Sequence, residues 1–123
     1  MLNERVGAAC KIGLAFISLN KKIERMHGIS LVQWYFLLAV KDRPGCQAKD
    51  LATAVGVHPS TLTQTMKRLE KKKYISVMNH PKDSRKKRIS LSFEGFNQVK
   101  KMEGLSQQTE ELIGDFLAKV RNQ

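Results

Sequence analysis

The sequence predicts a mainly α-helical fold that carries one small β-hairpin, and three observations lead there. Apolar or small residues recur in steps of three and four through Leu2, Val6, Ala9, Gly13, Phe16 and Ile23, the period of an amphipathic helix. The stretch "LATAVGVHPSTLTQTMKRL" holds two short helical patterns that meet at Gly56. Only "ISVMN" and "RISLS" alternate with the period of two that marks a strand. With 123 residues, 41% hydrophobic and 27% charged, the chain is sized for a single domain, residues 1–123, with one core.

Taken in order, a first helix runs from Asn3 to Met26, with Asn3 and Glu4 as its N-terminal cap and Gly28 as its stop. Ser30 and Gln33 form a capping box ahead of "WYFLLAV", a helix apolar on nearly every side and therefore central, which "DRPG" terminates. A short helix from Ala48 to Val55 buries Leu51, Ala52 and Val55. Gly56 supplies the left-handed turn, Val57 plugs the corner, and Pro59 opens a helix reaching about residue 73 that buries Leu62, Met66 and Leu69. A hairpin follows over about 75–91, with Ile75, Val77, Ile89 and Leu91 inward. Ser92 caps a helix to about Met102; after Gly104 a last stripe comprises Leu105, Leu112, Ile113, Phe116, Leu117 and Val120.

Charge is where the composition departs from the ordinary. Lys and Arg number 22 against 11 acidic residues, a net charge of +11 that favours polyanions. Residues 67–88 hold ten of the basic residues against Glu70 and Asp83 alone, a net +8. A solvated helix face normally intersperses both signs, so this concentration points to a binding surface. The N-terminus, with Glu4, Arg5 and Lys11, reads as neither a signal peptide nor a spanning helix, so a cytoplasmic protein without a membrane partner is expected. Cys10 and Cys46 have no metal-ligand spacing; Cys10 is expected to be small core filler, with a redox-sensing thiol as the alternative. No metal and no cofactor are expected. Without a nucleophile elbow, phosphate loop, zinc motif or paired carboxylates, the chain is not expected to be an enzyme.

Double-stranded DNA is the expected partner. Ser60, Thr61 and Gln64 lie on the polar face of the helix that begins at Pro59, where short hydroxyl side chains and an amide can reach base edges in the major groove. Thr63, Lys67, Arg68 and Lys71 are placed for phosphates. Pro81 and Asp83 supply turn chemistry to the segment from His80 to Ser84, and the strands anchor a loop projecting Arg85, Lys86 and Lys87. Such a hairpin after a helix-turn-helix is a wing. Its arginine can enter an A·T-rich minor groove while Lys82, Lys86 and Lys87 meet phosphates.

These segments, "LATAVGVHPSTLTQTMKRLEKKKYI" followed by "HPKDSRKKRISLSFEG", resemble the winged helix-turn-helix of the multiple-antibiotic-resistance-regulator (MarR) family over roughly residues 30–97. That family's wing carries Asp, any residue, Arg, and its next strand runs into Leu-Thr-x-x-Gly; Asp83, Arg85, Leu91, Ser92 and Gly95 take those positions. The resemblance implies a core over 30–92 flanked by dimerisation helices at 1–28 and 93–123, a palindromic promoter site, and Arg85 in the minor groove braced by Asp83. It also brings departures. Lys73 stands where the family often has Gly, and because a left-handed cap there would strain a lysine, another ending is expected. His58 stands where Ser is the common N-cap. Family members usually have a longer C-terminal end.

The apolar faces of the first and last helices exceed what a chain this small can cover, so Val6, Cys10, Phe16, Leu112, Phe116 and Val120 are expected at a homodimer interface. The functional expectation is a sequence-specific DNA-binding repressor released by a small aromatic ligand or an oxidant, with Trp34, Tyr35 and Phe36 either lining a pocket or forming core. The alternative is an architectural or protein-interaction module that holds nucleic acid nonspecifically through its basic wing.

Overall fold

A computed structural model describes residues 2–122 of the chain. The elements are α1 (Leu2–His27), α2 (Leu31–Asp42), α3 (Ala48–Val55), α4 (Pro59–Lys71), β1 (Ile75–His80), β2 (Asp83–Leu91), α5 (Phe93–Glu103) and α6 (Gln107–Arg121). Contacts gather into two compact units, Met1–Leu31 with Gly104–Gln123, and Val32–Glu103.

In the first unit α1 packs against α6, and the rings of Phe16 and Phe116 meet with centroids 5.5 Å apart. Gly28 ends α1 with φ of 75°, its N–H donating to the Glu24 carbonyl, the left-handed stop its sequence predicts. Asn3, expected as the cap, instead lies inside α1: the helix already includes Leu2, and a residue with helical backbone cannot take the extended conformation of a cap. At the other end, Ser106 caps α6 by accepting the Thr109 N–H. Thr109 is fully buried, and its hydroxyl pairs with His27 Nε2 at 2.9 Å and with Ser106 Oγ at 3.1 Å. A polar network thus ties the end of α1 to the start of α6, and nothing in the apolar pattern announces it.

The second unit has one core, built on α2. Trp34, Leu37 and Val40 are fully buried together with Leu51, Leu62 and Leu69 from α3 and α4, and Ile75 and Ile89 from the hairpin are nearly so. The Trp34 indole N–H donates to the Gln98 carbonyl at 3.0 Å, which fixes α5 to α2. Gly56, at φ of 76°, turns the chain from α3 to α4, and the Ala52 carbonyl accepts both the Gly56 and Val57 N–H groups. β1 and β2 pair antiparallel, Ile75 opposite Leu91 and Val77 opposite Ile89. Cys46 adds an isolated bridge to Ile89, whose N–H donates to the Cys46 carbonyl at 2.8 Å, so the loop after α2 is stitched to the root of the hairpin.

The end of α4 departs from expectation. The sequence predicts that Lys73 avoids the left-handed conformation, yet its φ is 66°. The Tyr74 N–H donates to the Leu69 carbonyl and the Lys73 N–H to the Glu70 carbonyl, the paired bonds of a Schellman closure. The reason is spatial: α4 ends at Lys71 and β1 begins at Ile75, so the chain has three residues in which to reverse, and a left-handed residue lets it do so. Ser92 secures the reversal, its hydroxyl donating to the Lys73 carbonyl at 2.6 Å and its backbone N–H to the Tyr74 carbonyl at 3.0 Å. The same Ser92 oxygen caps α5 by accepting the Gly95 N–H at 3.0 Å. Gly95 backs directly onto the Tyr74 carbonyl, so a Cβ there would overlap backbone oxygen.

Two substitutions test this junction. Gly95→Ala is expected to lower stability by about 3 kcal/mol, because backbone rather than a flexible side chain must yield. Lys73→Gly is expected to raise it by about 1 kcal/mol, the left-handed strain outweighing the extra entropy of an unfolded glycine. Urea midpoints at unchanged m-value read both.

Candidate nucleic-acid interface

Helix α4 divides cleanly into two faces. Leu62, Met66 and Leu69 are buried, whereas Ser60, Thr61, Thr63, Gln64, Lys67, Arg68 and Lys71 are exposed. The hydrophobic spacing that seats the helix therefore also aims its polar side chains outward. His58 caps α4 as a serine would: its Nδ1 accepts the Ser60 N–H at 3.1 Å and lies 2.8 Å from the Ser60 hydroxyl. Other hydroxyls turn inward, the Thr63 hydroxyl donating to the Pro59 carbonyl at 2.9 Å and that of Thr65 to Thr61 at 3.4 Å. Lys72 is drawn away from the basic face, its Nζ donating to buried Gln33 at 2.8 Å.

The hairpin corrects one expectation. Arg85, Lys86 and Lys87 do not project from a free loop; they belong to β2, and the turn itself is the pair Pro81 and Lys82 between His80 and its partner Asp83. The register then shifts. Asn79 pairs with Lys87, so Ser84, Arg85 and Lys86 have no residue opposite them and form a bulge, while Lys87 and Arg88 sit in the regular ladder. The bulge, rather than loop length, presents Arg85 and Lys86 outward.

Asp83 organises that bulge. One carboxylate oxygen accepts both the Arg85 backbone N–H at 3.0 Å and the Arg85 Nε–H at 3.2 Å, while the arginine side chain remains 89% exposed. The backbone hydrogen bond first, and the side-chain bond second, hold the Asp83 carboxyl below its usual range. His80 Nδ1 accepts the Lys82 N–H at 3.1 Å, fixing the turn, and the Lys87 ammonium pairs with Asn79.

The order of elements and this wing have counterparts among known proteins. Residues 29–87 match the model of the MarR family. Over that segment the chain is similar to the MarR family. Among curated relatives it is 28% identical over 84 residues to the HTH-type transcriptional regulator SarZ of Staphylococcus haemolyticus, covering 68% of this chain and 57% of that protein. It is 30% identical over 78 residues to the HTH-type transcriptional regulator BilQ of Clostridium symbiosum, covering 63% and 54%. The match thus spans a little over half the length of either relative. Among solved structures, a mutant of MarR from E. coli complexed with operator DNA superposes with a TM-score of 0.71 at 19% identity, over 94% of this chain and 84% of that one. MepR of S. aureus in a DNA complex gives 0.60 at 22% identity, over 89% and 90%.

The motif residues around Leu91, Ser92 and Gly95 serve the junction beneath the wing rather than the exposed face. Trp34 and Phe36 are core and Tyr35 is exposed, which settles the first two as packing residues. Cys10, expected as core filler, is exposed, because the side of α1 that carries it is not covered within the chain. Burial, with the Asp50 charge adding to it, pushes the half-buried Cys46 thiol up and keeps it protonated. Among the described residues no group of His, Cys, Asp and Glu could hold a metal ion, and no helix is long and apolar enough to cross a membrane.

Because its folded pKa lies below its unfolded one, Asp83 stabilises the bulge above the ordinary carboxylate range, and that contribution is lost as pH falls through the depressed value. NMR titration of the Arg85 amide is expected to report this low pKa. In Arg85→Ala it rises only part of the way, since the backbone N–H still donates; full return to the ordinary value would contradict the stated order of causes.

Proposed function

We propose that the protein is a sequence-specific, double-stranded DNA-binding transcription regulator that acts as a homodimeric repressor on a palindromic promoter site. The observation that carries the reading is the pairing of two exposed basic surfaces with opposite construction: a helix presenting Ser60, Thr61 and Gln64 beside Lys67, Arg68 and Lys71, and a bulged strand presenting Arg85, Lys86 and Lys87 beside Lys82. The helix suits base edges and adjacent phosphates in the major groove. The wing suits phosphates and, through Arg85 braced by Asp83, the minor groove. The names of the curated relatives, and the operator DNA in the MarR complex of the same fold, support this reading.

The homodimer rests on uncovered apolar surface. Val6 is 54% exposed and Val120 39%, Cys10 is exposed one turn after Val6, and Leu14, Ile17 and Leu117 add to the same helices. Phe16, Leu112 and Phe116 are half-buried, Phe16 and Phe116 against each other, and line the edge of this surface. Covering it with a second copy removes water from apolar area that the chain itself leaves wet. Light scattering at micromolar concentration is expected to give twice the chain mass; a monomer overturns both the dimer and the palindrome. Release by a small aromatic ligand or an oxidant completes the reading, with a shift in operator affinity on adding either as its test.

Selection of bound duplexes from a random pool near physiological salt tests the central claim. An enriched palindrome with half-site centres about one helical turn apart is expected. Binding without enrichment, abolished by modest salt, supports instead an architectural module held by charge. On the enriched site, Gln64→Ala is expected to relax preference at one position per half-site by about 1–3 kcal/mol. Arg85→Ala is expected to weaken binding most on A·T-rich flanks, and equal loss on every flank contradicts minor-groove contact.

A further inference from the structure

The hydrogen bonds of His58 determine what Ser60 has left to offer. The Ser60 backbone N–H, which can only donate, points at His58 Nδ1 from 3.1 Å. Nδ1 therefore carries a lone pair, and the proton of the neutral imidazole sits on Nε2. The Ser60 hydroxyl lies 2.8 Å from the same Nδ1, and since that nitrogen has no proton to give, the hydroxyl is the donor. Ser60 Oγ has then committed its one proton and shows only lone pairs outward. Phosphate oxygens are themselves acceptors, so an acceptor-only hydroxyl has no partner on the DNA backbone. In the major groove its partners are exocyclic amino groups, N6 of adenine and N4 of cytosine.

The neighbouring hydroxyls sharpen the contrast. Thr63 and Thr65 also spend their protons on helix carbonyls, but through bonds within the helix that any threonine there can make. Ser60 is polarised by a side chain outside the helix, at a position where the common serine cap could accept only through its own oxygen. Ser60 is exposed, one turn before exposed Gln64 on the same face.

We propose that His58 is a positioning residue that fixes Ser60 as a pure hydrogen-bond acceptor, and that Ser60 reads the exocyclic amino group of one adenine or cytosine in each half-site. The inference rests on the reading that α4 enters the major groove. It adds the polarity of the contact and the residue that sets it.

The test uses the full chain and the duplex it enriches, with each adenine or cytosine replaced in turn by an analogue lacking its amino group. The unsubstituted protein is expected to lose about tenfold in affinity at one position per half-site. Ser60→Ala is expected to be indifferent to the analogue there, with an unchanged slope of affinity against salt. His58→Ala is expected to lose most of the discrimination although Ser60 is present, and His58→Asn, whose side-chain oxygen can accept in place of Nδ1, to keep it. Circular dichroism checks that α4 stays helical in each variant. If Ser60→Ala keeps full sensitivity to the analogue, or instead flattens the salt slope by about one, the contact is absent or is to phosphate and the proposal falls. If His58→Ala and His58→Asn discriminate equally, His58 does not position Ser60. Failure of the unsubstituted protein to enrich any sequence overturns the DNA-reading function itself, a result distinct from an enriched operator that Ser60→Ala prefers unchanged.

Discussion

The basic face of this molecule depends on one crossing of backbone at Tyr74. Its carbonyl receives the Ser92 N–H and lies against the bare Cα of Gly95, while the Ser92 hydroxyl holds the carbonyl of Lys73. Within a few residues the end of α4, the start of β1, the end of β2 and the start of α5 are locked together. The angle between helix and hairpin is thereby set by backbone hydrogen bonds and a steric limit, not by long side chains that could repack. The left-handed Lys73 is the strain this arrangement costs, and the bonds on both sides of it hold it in place.

Above that junction the exposed conformation is chosen by short local bonds of one kind. His58 accepts the N–H of Ser60, His80 that of Lys82, and Asp83 that of Arg85, each from two residues ahead. Each such bond is weak at a solvated site, too little to hold the fold but enough to select one backbone path there. The chain thus separates two tasks, placing its elements through the core and aiming them through side-chain-to-backbone bonds at their tips.

The sequence makes the first task legible and the second much less so. Helix α3 is readable to the residue because Leu51 and Ala52 stand four and three residues before Val55 and Gly56 ends the helix. The faces of α4 and the inward set of the hairpin follow from periods of 3.6 and two. What escapes is pairing between distant residues: the Cys46 bridge to Ile89, and the His27 contact with Thr109, join segments whose local patterns carry no mark of each other. The three histidines look scattered because each is used singly. Lys73 escaped for a different reason, since intrinsic preference argued against the left-handed backbone and the length of chain available to reach β1 overrode it. The basic run likewise hid its bulge, because charge repetition masks register.

The register shift has one further consequence. Among the described residues β1 pairs with β2 alone, so its outer edge offers backbone groups to another copy of the chain, and Met78 on this strand is exposed. Such edges invite strand-to-strand polymerisation. Here any second hairpin sliding alongside meets four consecutive cations, Arg85 to Arg88, on a ribbon whose tip is bent out of the flat by its three unmatched residues. Like charge and distortion at the tip both oppose stacking, so the features that ready this hairpin for a polyanion also keep it from assembling with itself when none is present.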